Sequence, residues 1–303
     1  MRAPRGITVE HPSRGWPNIM VLRVLLGYLI PLYRNPVTAI ATTILLGLLF
    51  LALTADYVAP YDYREANLWR RLEPPSREHL MGTDNLGRDI LSRIIHGTRP
   101  TLYVIVVAVI IASTTGTLIG LMSGYFGGKV DLVISRVIDA LMSIPAILIA
   151  LAIVTVLGPG LEKVVLAIGV AEASVYARLA RGLVMVEKEQ LYVTASRALG
   201  ASTTRIVFKH ILPNIAGPLI VQATFTASAA ILWEAALSFL GLGAQPPTPS
   251  WGLMLYEAKD YMRTAPHAMI FPGLAIFTVV ISFNIVGEAL RDMIDPRFRK
   301  LMR

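Results

Sequence analysis

Residues 37–55, 101–128, 140–161 and 268–287 contain no Asp, Glu, Lys or Arg at all. A hydrocarbon core about 30 Å thick is crossed by roughly 20 apolar residues in a helix, so each of these runs is long enough or nearly so. Two weaker runs complete the set: 164–177, interrupted by Glu172, and 215–240, interrupted by Glu234. The chain of 303 residues is 54% apolar and only 16% charged. A soluble domain has no way to hide that much apolar surface. The pattern predicts an all-α polytopic membrane protein with six transmembrane helices, near 37–57, 101–124, 140–160, 164–180, 215–240 and 267–288.

The polar segments fix an expected orientation. With both termini in the cytoplasm, the inner segments hold 18 of the 28 Lys and Arg residues and the outer ones 10, in the sense of the positive-inside bias. The net charge of +8 is then a matter of orientation, and no nucleic acid is expected as a partner. Residues 1–36 read as a cytoplasmic N-terminus in which 19–32, broken by Arg23 and ended by Pro31, is too short to span and forms an interfacial helix. No small-residue cleavage site follows that run, so no signal peptide is expected. The chain has no cysteine, which excludes disulfides and thiolate chemistry.

The large outer connection carries turn chemistry at Pro74-Pro75-Ser76 and from Gly82 to Asp89,. Ile90, Leu91, Ile94 and Ile95 then repeat at helical spacing, with Arg88 and Arg93 on other faces. The reading is a short amphipathic helix on the outer surface, stopped by Gly97. In the second span Gly116, Gly120 and Gly124 make two consecutive small-xxx-small steps. They form a helix-packing seam inside the bundle or against a partner, although glycine enrichment is also ordinary in membrane helices.

The basic segment 186–213 lies between apolar runs. Gly200 supplies a positive φ to end a first short helix, and Ser202 or Thr203 caps a second that runs to about Ile211, where Pro213 forbids more. Two short helices at an angle can fill a cleft on a soluble partner; a basic interfacial hairpin fits the spacing equally well. Over the wider stretch 178–216, Arg178, Arg181, Lys188, Arg197, Arg205 and Lys209 are expected to hold it at the cytoplasmic side.

Other chemistries are excluded. Gly127-Gly128-Lys129-Val130 lacks the leading glycine and the Ser/Thr of a phosphate loop, so no nucleotide cofactor is expected in this chain. The five histidines are scattered, and Leu86 falls where a calcium loop needs oxygen, so no metal site is expected. No Gly-x-Ser-x-Gly elbow or other catalytic residue set occurs.

The 192–214 segment resembles the cytoplasmic coupling loop of ATP-binding-cassette importer permeases, in which Glu-Ala-Ala, Gly and Leu-Pro recur at fixed spacing. Here Thr194-Ala195-Ser196, Gly200 and Leu212-Pro213 stand at those places, with His210 where the family has an isoleucine two residues before Leu-Pro; the glutamate, the second alanine and the isoleucine are replaced. Further motifs resemble the C-type permease of dipeptide, oligopeptide and nickel importers. They are Pro75-Ser76 with His79, Gly82-Thr83-Asp84, Gly87-Arg88-Asp89 with Ser92-Arg93, Gly127-Gly128 with Asp131, Glu234 through Gly243, Pro249 through Gly252, Arg291-Asp292, and Asp295-Pro296-Arg297.

The resemblance implies the type I importer permease fold over 37–303 with cytoplasmic coupling helices, in a prokaryotic inner membrane. It implies an ATP-driven importer for peptides, or for nickel, glutathione or a similar solute. Its partners would be a homologous second permease, an extracytoplasmic binding protein, and two ATPase subunits that hold the ATP and Mg. The coupling residues are then Tyr192, Ala195, Ser196, Arg197, Leu199, Gly200 and Ala201.

Trp233 and Glu234 are candidates for the translocation pathway. A carboxylate in a span faces a cavity or a partner, and a hydrogen bond to a neighbouring helix accounts for Glu234 as well as a substrate ammonium does. Glu172 is expected to pair with Arg178 or to snorkel. The rival class is a stand-alone ion-coupled transporter, which needs paired acids and inverted repeats that the sequence does not display.

Overall fold

The computed structural model describes residues 32, 33 and 35–294, and among these it contains helices, turns and one isolated bridge between Thr83 and Asp89. The expected interfacial helix at 19–32 lies, but for Leu32, outside the described residues, as does Asp295-Pro296-Arg297. Helix α1 (Pro36–Val58) starts on an Asn35 side chain that accepts from the Val37 amide at 2.9 Å. Pro36 stands where a missing N–H costs nothing.

Helix α2 (Ile90–Phe126) corrects two expectations. Gly97 does not stop it: the helix runs unbroken through Gly97 and Pro100 for 37 residues. A Cβ at Gly97 would lie 2.9 Å from the Trp251 indole, so this glycine makes room for a side chain instead of ending a helix. Nor does the first turn rest on a surface. Arg93 is 2% exposed, held by Asp84 and by Glu257 at 2.7 Å.

The 140–160 run is not one straight span. Helices α3 (Gly128–Met142) and α4 (Ala146–Leu157) meet at 87°. Pro145 disfavours helical geometry at Ile144 and lacks an amide hydrogen to continue the ladder. With 12 residues, about 18 Å at 1.5 Å per residue, α4 alone falls short of a crossing.

Helix α5 (Leu161–Glu187) leads to the short α6 (Leu191–Ala198). Helix α7 (Thr203–Phe239) then continues past Pro213, against expectation. Its residues Ile206–Ile211 are π-helical, and the Leu212 amide bonds the Val207 carbonyl five residues back. The widened turn shifts the hydrogen-bond register just where Pro213 cannot donate, which lets the helix survive its proline. Helices α8 (Trp251–Ala258) and α9 (His267–Ile294) complete the chain.

Among the described residues four helices, α1, α2, α7 and α9, are long and apolar enough to cross a membrane, and the bent α3–α4 pair would be a fifth span; six were expected. Helices α2 and α5 make the most extensive contact. One apolar cluster joins Ile90, Ile231, Trp251 and Ile276; a second joins Val104, Ala150, Ile168 and Leu237; a third joins Leu121, Val184, Val193, Ile206 and Ile211.

The bundle has two ends. At the loop end, residues 59–89 meet α8 and the start of α9, and the Gly160 amide reaches the Leu242 carbonyl at 3.0 Å. At the elbow end, Lys188 Nζ donates to the Gly124 carbonyl at 2.8 Å.

Candidate functional site: the elbow and the loop end

Helix α6 ends in a closure written by Gly200. The Ala201 amide bonds the Ser196 carbonyl at 3.1 Å and the Gly200 amide bonds the Arg197 carbonyl at 3.0 Å. This Schellman geometry needs a positive φ, and Gly200 has φ +79°. The Ser202 hydroxyl then accepts from the Arg205 amide at 3.4 Å as α7 begins. Nothing lies within 4 Å of where a Gly200 Cβ would stand, so the bend faces open space.

The elbow is anchored by one residue and braced by another. Val193 is fully buried in the third cluster, whereas Leu191 and Leu199 are 87% and 88% exposed. Ala195, Arg197 and Gly200 are exposed, and Ser196 and Ala201 half-buried. Ser196 spends its hydroxyl on the Tyr192 carbonyl at 2.8 Å, and the Arg197 guanidinium sits 6.0 Å from the Tyr125 ring of α2.

The Tyr192 hydroxyl donates to the Glu187 carboxylate and accepts from Asn214 Nδ2 at 2.8 Å. Burial, and then the Glu187 carboxylate, raise its phenol above the ordinary value. Glu187 and Asn214 were not singled out from the sequence. Their spacing from Tyr192 marks no single helical face, because the three residues sit on three helices.

The glycine seam lies within the chain. A Cβ at Gly116 would stand 2.3 Å from the Ala173 carbonyl, at Gly120 2.6 Å from that of Ala177, and at Gly124 2.8 Å from that of Arg181. Helices α2 and α5 therefore touch backbone to backbone over three turns, gaining dispersion contacts. Beyond the seam Arg181 grips Asp131 of α3 through two bonds of 2.5 and 2.7 Å, while Arg178 pairs with Asp139 at 2.6 Å. Glu172 pairs with neither arginine: it is buried and accepts from the Thr226 hydroxyl of α7 at 3.1 Å. The side chain projects toward α7, away from the turn that bears Arg178.

Glu234 is also interior. It is 4% exposed and accepts from the Ser238 hydroxyl at 2.7 Å, with Trp233 packed on the second cluster. This is the arrangement of a structural hydrogen bond within α7.

At the loop end the polar motifs converge on one buried network. Asp84 accepts from Arg88 Nε at 2.6 Å and also from Arg93, and Glu257 of α8 accepts from Arg88 at 2.8 Å and Arg93 at 2.7 Å. Asp89 caps α2 through the Ser92 amide at 2.7 Å and holds His79 Nδ1 at 2.9 Å. The Trp251 indole donates to the Ile94 carbonyl at 3.1 Å. Two arginines and two carboxylates thus join the start of α2 and the connection before it to α8. Glu257 gave no sequence signal, being about 165 residues from its partners.

The profile of the family described as "Binding-protein-dependent transport system inner membrane component" matches residues 116–300. The chain is 42% identical over 268 residues to the dipeptide transport system permease protein DppC of Alkalihalophilus pseudofirmus, covering 88% of each. It is 46% identical over 261 residues to the di/tripeptide transport system permease protein DppC of Pseudomonas aeruginosa, covering 84% of this chain and 86% of that one. The glutathione transport system permease protein GsiD of Pectobacterium atrosepticum is 42% identical, with 88% and 89% covered.

Among solved structures, a chain of the inward-facing MetNI methionine ABC transporter superposes with a TM-score of 0.55 at 22% identity. The match covers 67% of this chain and 96% of that one, and it places this chain in the ABC importer permease fold. A multi-pass helical chain with this fold, these relatives and this profile belongs to the binding-protein-dependent transport system inner membrane components: it is a permease subunit of an ABC importer, and ATP hydrolysis lies in separate subunits.

Proposed function

We propose that the chain forms half of the translocation pathway of an ATP-driven importer of dipeptides or other small peptides, beside a homologous second permease. The dipeptide, di/tripeptide and glutathione permeases among its relatives all have names that point to short peptide-like cargo. In this reading α5 is the sixth span. Its 27 residues measure about 40 Å, and its buried carboxylate is satisfied by Thr226.

The elbow end, rich in Lys and Arg, faces the cytoplasm with both termini. The loop end receives a solute-binding protein, and Leu68 and Trp69 stand exposed there on a short turn capped by Asn67.

The observation that carries the reading is the elbow itself. Its tip exposes two leucines, small residues and Arg197, yet it runs directly into a membrane helix of 37 residues. A tip of that kind fits an apolar cleft with an acidic rim on one of two ATPase subunits, which hold the ATP and Mg. Closure of the ATPases moves α7 with the elbow, and nucleotide biases the pathway between two packed states.

Uptake of a labelled dipeptide into vesicles bearing the assembled complex tests this. Uptake is expected to stop with vanadate and to survive a protonophore when ATP is held constant. Gly200→Val, which forces a β-branched residue to positive φ, is expected to abolish uptake at normal abundance. Collapse of uptake by the protonophore alone would refute the assignment.

A further inference from the structure

Helices α5 and α7 run antiparallel and touch through polar groups at two heights. At mid-span, buried Glu172 accepts from Thr226 at 3.1 Å, and Gln222 Nε2 reaches the same hydroxyl at 3.4 Å. At the elbow end, Tyr192 bridges Glu187, the last residue of α5, to Asn214 of α7. Between these points Val184 of α5 packs on Ile211 and Ile215 of α7 in the third apolar cluster, and beside that contact a cavity of about 580 Å³ is lined by Leu179 of α5, by Pro218, Val221, Gln222 and Phe225 of α7, and by Arg291 and Ile294 of α9. Asn214 also donates to the His210 carbonyl at 2.8 Å, inside the π-helical turn that lets α7 pass its proline. The bridge therefore joins α5 to the one irregular turn of α7.

We infer that Tyr192 is a positioning residue for coupling: beside the apolar contacts of Val184 and Val193 with Ile206 and Ile211, its hydroxyl is the polar latch that fixes the elbow ends of α5 and α7 in one register, and Glu172–Thr226 is the pivot about which the groove beside them widens. With the latch closed, the elbow, α5 and α7 turn as one body, and force applied at the exposed tip moves both helices. With it broken, the same force is absorbed by widening the cleft at the π-helical turn. The inference rests on the importer reading, since it assigns Tyr192 a part in transmitting ATPase closure.

The chain has no cysteine, so in a full complex whose other subunits have been made cysteine-free, Leu179→Cys and Val221→Cys carry the spin labels, one on each helix beside the groove. Tyr192→Phe removes the hydroxyl and keeps the ring. It is expected to lower dipeptide uptake per ATP hydrolysed at least fivefold, with complex abundance retained, and to broaden the label distance. Glu187→Gln keeps an acceptor and is expected to retain the wild-type ratio, whereas Glu187→Ala behaves as Tyr192→Phe does.

A Tyr192→Phe complex with wild-type uptake per ATP and an unchanged distance overturns the latch while leaving the importer reading intact. Loss of abundance in both Tyr192→Phe and Glu187→Ala, with the ratio unchanged, also overturns it. Failure of the unsubstituted complex to couple uptake to ATP overturns the importer reading itself.

Discussion

Replacing Glu257 by alanine tests the loop-end network most directly. Glu257 accepts from Arg88 at 2.8 Å and from Arg93 at 2.7 Å, and its side chain is 14% exposed against 8% and 2% for those partners. Deleting it leaves two guanidinium groups facing one carboxylate, Asp84, and places an uncompensated positive charge where little water reaches. Breaking a buried ion pair from one side costs about 3–5 kcal/mol. The partial exposure of Glu257 admits some solvent to the gap, so about 3 kcal/mol is the expected loss.

The companion variant Arg93→Met with Glu257→Leu removes both charges and leaves Arg88 paired to Asp84. It is expected to recover most of that loss, because no unpaired charge remains. The assay is reversible unfolding of the purified chain in mixed detergent micelles, with the free energy taken from the transition midpoint and slope. Two results would refute the reasoning: Glu257→Ala within about 1 kcal/mol of the unsubstituted chain, or a double variant no better than the single one.

Two further outcomes follow from the packing. Gly120→Leu puts a side chain where even a Cβ stands 2.6 Å from the Ala177 carbonyl and the Ala180 methyl; the helices must separate, and the variant is expected to be lost from the membrane fraction on immunoblotting. Glu234→Gln keeps an acceptor for the Ser238 hydroxyl and is expected to retain dipeptide uptake near the normal level, whereas abolished uptake at normal abundance would assign Glu234 to the pathway.

The membrane helices were legible where the physics is additive. Residues 37–57 read as a span because apolar transfer sums along the chain, and α1 occupies Pro36–Val58. The elbow was legible because Gly200 and Ser202 are local signals for local geometry. What misled was punctuation read without its surroundings. Gly97 looked like a stop, yet its missing side chain accommodates Trp251, which lies more than 150 positions away. Pro213 also looked like a stop, and a π-helical turn absorbs it. Pro145 bends its run through 87°, although nothing in hydropathy distinguishes a bent span from a straight one. Arg93 looked solvated because its carboxylate partner Glu257 belongs to another helix. Long-range pairing of this kind leaves no periodic trace.

The length of α7 has a mechanical corollary. Its 37 residues measure about 55 Å, from the elbow tip to the apolar contacts that Ile231 and Ala235 make with Trp251 and Met254 of α8. A rod of that length rocking by about 10° near its middle displaces each tip by about 5 Å, in opposite senses. If the importer works as proposed, no relay of intermediate residues is then required for the two faces of the bilayer to alternate: a see-saw cannot drop at both ends at once.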